Sequence, residues 1–174
     1  FDFKVPRYGD LLMDTYLVIQ LPHIWSPIKP PTSNDSAVVE HLWRPYEFKW
    51  IKNLGTQMIE RVRFTIGGQV IQEYTGQYLV NMVERDFDES KKKLYYLMTG
   101  NIAEFNDPAN SEKSNNINQY PNAYVSSDPN KIPEPSIRAR KLYIPLNIWF
   151  TLSSKMAFPL VALQYNELHI EIDI

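Results

Sequence analysis

Three histidines are the side chains that titrate nearest neutral pH: His23, His41 and His169. None lies in an H-x-H or H-E-x-x-H arrangement, the spacings that put two imidazoles on one metal. Glu167, His169 and Glu171 alternate along one run, and two carboxylates flanking an imidazole have the donor set of a metal site. The same alternation is the polar face of an amphipathic strand, and that reading is preferred. A Ser-His-acid triad needs no closeness in sequence, but no G-x-S-x-G elbow marks a nucleophile. Among the 20 acidic residues nothing singles out a general acid–base pair. Cysteine is absent, which removes disulfides, thiolate ligands and cysteine nucleophiles together. The sequence thus nominates no catalytic residue, no cofactor-binding residue and no metal ligand set, and the chain is not expected to be an enzyme.

Binding chemistry is the next possibility. Trp25 and Trp43 fall in loops, where exposed rings stack on sugars in carbohydrate-binding domains. Asn34-Asp35-Ser36 matches the N-glycosylation pattern. Gly67-Gly68 between Arg61–Ile66 and Gln69–Tyr74 reads as the tight turn of a β-hairpin, because its φ > 0 positions suit glycine. A phosphate loop would need more glycines and a following Lys-Thr or Lys-Ser. Lys91, Lys92 and Lys93 open a short helical pattern from Ser90 to Met98. They read as a solvated face that opposes the helix dipole.

The elements that must position these residues are mostly strands. The chain has 174 residues, the length of one domain with a real core, and 44% of them are hydrophobic. Its net charge of −2 argues against a strongly basic nucleic-acid binder and leaves room for a local basic patch. No apolar run approaches the ~20 residues of a membrane helix. Phe1–Val5 alternates, Leu11–Leu21 is a strand candidate ended by Pro22, and His23–Pro45 is turn-rich, with a short extended piece at Val38 and Val39. Asn53 is placed to cap a short helical turn, and Gly76–Asp86 has helical spacing. Asn101–Ala139 reads as a long surface loop with five prolines and eight asparagines. Lys141–Phe150 is a strand containing Pro145, Leu160–Gln164 is a further extended piece, and Leu168–Ile174 alternates strictly. Short strands, long loops and two brief helices imply a β-sandwich or barrel.

Four blocks in this order resemble the major capsid proteins of nucleocytoplasmic large DNA viruses. They are Tyr8-Gly9-Asp10-Leu11-Leu12 with Tyr16–Pro22; Asn53-Leu54-Gly55 with Met58–Glu60 and Ile66–Ile71; Leu142–Leu146 with Trp149-Phe150; and Ala157–Leu168. In the last block Asn166 stands where the family usually has His. The resemblance implies an all-β jelly-roll sandwich, the first of a tandem pair, with short helices and one long loop. Residues 1–174 would be most of that single jelly-roll domain and 101–139 its long surface loop. The second jelly roll would be absent, and the chain either a piece of a longer protein, which is the preferred reading, or a separate capsid-like paralogue. It further implies a homotrimer forming a pseudo-hexagonal capsomer of a large icosahedral shell, with neighbouring capsomers and minor capsid proteins as partners. An inner viral membrane would lie nearby without a membrane span in this chain, with no direct nucleic-acid contact and no cofactor. The protein would be located in the virion and assembled in the host cytoplasm. The alternative is a lectin-like carbohydrate-binding jelly roll.

Overall fold

A computed structural model of the chain describes residues 1–25, 28–29, 44–45, 48–111 and 135–174. They form two compact units, one from residues 1–19, 53–100 and 142–174 and the other from residues 20–52 and 101–141.

The first unit is built on a four-stranded antiparallel sheet. Its strands are β1 (Asp2–Val5), β10 (Leu168–Asp173), β6 (Arg61–Ile66) and β7 (Gln69–Tyr74), in that spatial order. Alternation sets the register, because a one-residue slip would turn the apolar set outward. Ile170 faces Phe64 and Phe3, Ile172 faces Val62, and the charged residues between them share the opposite face. β6 and β7 are joined by Gly67 and Gly68 at φ 56° and 83°, as their turn chemistry requires. Phe64 pairs with Gln72 but Thr65 pairs with Val70, so Ile71 is the extra residue of a β-bulge.

Two further strand pairs lie wholly or mainly in this unit. β2 (Leu11–Leu12) pairs with β9 (Phe158–Pro159), and β3 (Tyr16–Leu21) with β8 (Arg140–Pro145). The Leu11–Leu21 stretch is therefore two strands, and its interruption is useful: the Thr15 carbonyl accepts a hydrogen bond from Leu146 N. β8 ends at Pro145, earlier than its apolar run suggests. Asn147 then takes a left-handed φ of 46°, and a 3₁₀ turn forms at Trp149–Thr151. Leu160–Ala162 is also a 3₁₀ turn and not an extended piece.

The core joins these layers through rings. Phe64, Phe150 and Phe158 lie 5.2 to 5.8 Å apart, centroid to centroid. They connect β6 to the 3₁₀ turn and to β9. Leu142, Ile144 and Leu146 are fully buried, as are Leu168 and Ile172. The buried Tyr74 hydroxyl donates to the Leu146 carbonyl, and burial raises its pKa far above the usual phenol value.

Three helices belong to the same unit: α1 (Leu54–Gln57), α2 (Gly76–Asp86) and α3 (Glu89–Thr99). Asn53 precedes α1 in a left-handed conformation and makes no side-chain cap. A Cβ on Gly55 would meet the Thr99 carbonyl at 2.8 Å, so glycine allows α1 to approach the end of α3. α3 is better supported at its ends than its lysines suggest. Asp88 caps it by accepting from Lys91 N at 2.8 Å, Glu89 lies in the first turn, and Gly100 closes it at φ 82°.

In the second unit, β4 (Ile28–Lys29) pairs with β5 (Arg44–Pro45), and Ile24 bridges Ile137. At the start of the expected surface loop, α4 (Ala103–Asn106) and a 3₁₀ turn at Pro108–Asn110 bury Phe105 and Ala109. Trp50 N donates to the Phe105 carbonyl at 2.8 Å. The remainder of that loop, residues 112–134, and the extended piece foreseen at Val38 and Val39 lie outside the described residues.

The architecture is all-β with short helices.

Candidate functional site

The polar face of the four-stranded sheet gathers the residues whose spacing first suggested chemistry. His169 Nδ1 lies 2.8 Å from Asp2 Oδ1, and its Nε2 lies 3.5 Å from Glu167 Oε2. Glu167 is also ion-paired with Lys4. Glu171 takes a hydrogen bond from Arg63 Nη1 at 3.3 Å, and Arg63 Nε reaches Glu73 at 2.7 Å. Asp173 accepts two bonds from Arg61, at 2.9 and 3.1 Å. These side chains form a ladder of cross-strand pairs that crosses the whole sheet, so the triplet Glu167, His169 and Glu171 is divided among separate cationic and carboxylate partners. Among the described residues no group of three His, Cys, Asp or Glu side chains is placed to hold a metal ion. The Asp2 carboxylate holds His169 above its usual pKa, and the Lys4 ammonium holds Glu167 below its own.

His23 has a structural task. Its Nδ1 accepts the backbone N–H of Ala139 at 3.0 Å. His41, Trp43 and Asn34 lie outside the described residues, while Trp25 is exposed. The three lysines of α3 divide. Lys91 and Lys93 are exposed, but Lys92 is pinned between Glu84 at 3.1 Å and Glu89 at 3.7 Å. The Tyr96 hydroxyl donates to the same Glu84, whose carboxylate pushes the phenol up to about 12.

Two surface features escaped the sequence reading. The first is a groove of about 750 Å³ between residues 4–10 and 160–168. Arg7 braces it by donating to the carbonyls of Leu163 and Gln164, the latter at 2.9 Å. Tyr8 and Tyr165 stand on its walls, 96% and 94% exposed. The second is the outer side of β1, which pairs with no further strand among the described residues. Phe1 and Phe3 stack there at 6.4 Å and remain 74% and 46% exposed. Exposed Tyr, Phe and Arg of this kind are what protein–protein contacts use. A signal for the second was present, since Phe1 and Phe3 open an alternating run, but only the sheet order shows that the run lies at an edge.

No helix among the described residues is long and apolar enough to cross a membrane. Residues 2–174 match the family described as major capsid protein N-terminus. The chain is 26% identical to the major capsid protein of Chrysochromulina ericina virus over 98% of its length, covering 31% of that protein. It is 28% identical to the Phaeocystis pouchetii virus major capsid protein (98% and 30% covered) and 25% identical to that of Frog virus 3 (100% and 32%). The chain therefore spans just under a third of these relatives. Two solved structures share the fold over 98% of this chain and 29% of theirs. They are PBCV-1 VP54 fitted into a reconstruction of the virophage Sputnik (TM-score 0.60, 18% identity) and a quasi-atomic PBCV-1 virus capsid (0.61, 17%).

Proposed function

The chain belongs to the family of major capsid protein N-termini, and from that premise we propose that it is the first jelly roll of the shell subunit of a large DNA virus. The observation that carries the reading is the family match across residues 2–174. The named relatives are capsid proteins, which favours a shell role over the carbohydrate-binding alternative raised by the loop tryptophans.

In this reading a second jelly roll follows in the longer protein, and three copies make a pseudo-hexagonal capsomer of an icosahedral shell. Neighbouring capsomers and minor capsid proteins are its partners, an inner membrane lies nearby, and assembly takes place in the host cytoplasm. The chain is structural and performs no catalysis. Its polar sheet face, with each carboxylate held by a neighbour, suits a surface that must keep its shape in a lattice. The tyrosine-walled groove and the aromatic sheet edge are its candidate contact surfaces.

Native mass spectrometry of the full-length protein from purified particles tests this. A subunit of about 400–600 residues, two jelly rolls of ordinary domain size, associating as a trimer is the expected result. A free monomer of the mass of this chain, 20.4 kDa, would overturn it.

A further inference from the structure

β1 and β2 run antiparallel to β10 and β9, and the paired chains turn a corner together. Between the Val5–Leu168 and Leu11–Pro159 pairs, one chain spends five residues, 6–10, and the other eight, 160–167. The three extra residues match the 3₁₀ turn at Leu160–Ala162, which takes up the difference. Residues 160–167 thus leave the ladder and cross the corner as a strap.

The strap is tied at both ends and held lightly between them. Leu160 N donates to the Asp10 carbonyl at 2.9 Å, and the Glu167 carbonyl accepts Gly67 N at 2.9 Å. Leu163 N and Gln164 N bond within the strap, to the carbonyls of Leu160 and Ala162. Among the described residues, one side chain supplies the hydrogen bonds that join residues 161–166 to the rest of the chain. Arg7 Nη1 donates to the carbonyls of Leu163 and Gln164, the latter at 2.9 Å. These carbonyls follow the 3₁₀ turn, where acceptors lack partners of their own, and a guanidinium suits them in charge and shape. Packing adds a single pin. Leu163 is 7% exposed, while Val161, Ala162 and residues 164–166 are all exposed.

A segment with few buried apolar contacts and few ladder bonds opens locally, before the fold as a whole does. We propose that residues 161–166 open and close as a unit, hinged at Leu160 and Glu167 and latched by Arg7, and that the tyrosine-walled groove exists only in the closed state. The closed strap supplies the Val161 and Tyr165 side of the groove. It also brings Asn166 against Gly67 of the β6–β7 turn. Opening withdraws these residues together and lifts Leu163 from the core. A partner that fits the groove draws the strap shut, by as much as it prefers the closed state. The Lys4 and His169 contacts of Glu167 belong to the tied end and lie outside the latch. The latch depends on this corner alone and not on the shell reading.

Hydrogen exchange of the full-length protein, read at single residues, tests the latch. The amides of Leu163 and Gln164 report it, since their bonds lie inside the strap. Arg7→Ala is expected to speed their exchange at least about tenfold while residues 168–173 change less than about twofold. Arg7→Lys, which keeps the charge and loses the planar fork, should recover part of the protection. A smaller rise, or one matched by residues 168–173, overturns the latch. The full-length protein carries any cover that its other segments lay over the strap, and a strap held shut by such a cover would not respond to Arg7→Ala. A second measurement serves if Arg7→Ala does not fold. These 174 residues contain no cysteine, so Leu163→Cys and Leu168→Cys each place one thiol in a buried position. Labelling with iodoacetamide, followed on the peptide that carries the new thiol, should be at least about tenfold faster at 163 than at 168. Equal rates would show that the strap opens only with the whole fold, and the proposal would fall.

Discussion

Val62 and Phe64 point to one side of β6, and Arg61 and Arg63 point to the other. The four residues are neighbours in sequence and share the same backbone ladder. The inner pair is wholly buried and packs against Ile172, Ile170, Phe150 and Phe158. The outer pair stays partly in water and is held by Glu73, Glu171 and Asp173. The inner face supplies the free energy of the fold, because area removed from water scales with apolar burial. The outer face sets direction and neighbours, because exposed ion pairs contribute little to stability.

Substitutions on each face sharpen this contrast. Phe64→Ala removes a ring from a three-ring cluster and should cost ~3–5 kcal/mol, read from the midpoint of chemical denaturation. A loss below ~1 kcal/mol would mean the cluster is not the centre of the core. Tyr74→Phe keeps the ring but leaves the buried Leu146 carbonyl without its donor, at ~1–2 kcal/mol by the same measurement. Gly67→Ala acts at the turn. The residue must hold φ 56° with its Cβ 2.8 Å from Asn166 Oδ1, and ~1 kcal/mol or more is expected, with the loss recovered in part by Asn166→Gly. Arg63→Ala breaks two exposed pairs, and its stability curve should stay within the scatter of the unaltered protein. A shift comparable to that of Tyr74→Phe would erase the distinction between the faces.

The smallest expected effect depends on pH. His169 has a raised pKa in the folded chain, so its clasp on Asp2 is fully present below the unfolded value near 6.5 and is lost as pH rises through the folded value. Glu167 has a lowered pKa, so its contribution is present above about 4.5 and is lost as pH falls through its folded value. Protection of the β1 amides in hydrogen exchange should therefore be greatest between these limits, after correction for intrinsic rates. In His169→Gln the decline on the alkaline side should disappear, and its persistence there would show that another group holds the strand.

Much of the sheet was legible in the sequence. Gly67-Gly68 fixed the β6–β7 turn because few residues accept that backbone, and Leu168–Asp173 revealed β10 by strict alternation. Segments whose conformation depends on distant partners were harder. Leu160–Ala162 is apolar enough for a strand, yet it curls because Leu160 N bonds to Asp10 and Leu163 N to Leu160. The caps of α3, Asp88 and Gly100, are legible as residue types, but only the backbone shows that they flank one helix. The ladder on the polar face was not legible, since Arg63 and Glu171 are 108 residues apart and only the register brings them together.

The order of strands also has a consequence in time. β10 is the last strand of the sheet to be synthesised, yet it sits between β1 and β6. Asp2 and His169 are separated by 167 residues. At ~5–20 residues per second of synthesis, β1 waits roughly ten to thirty seconds for its partner, while β7 meets β6 at once. During that interval an alternating Phe-Asp-Phe-Lys-Val segment is available to any nearby nascent chain bearing the same run. A ribosome cluster making many copies would therefore be the place where timing, rather than stability, decides which pairing forms first.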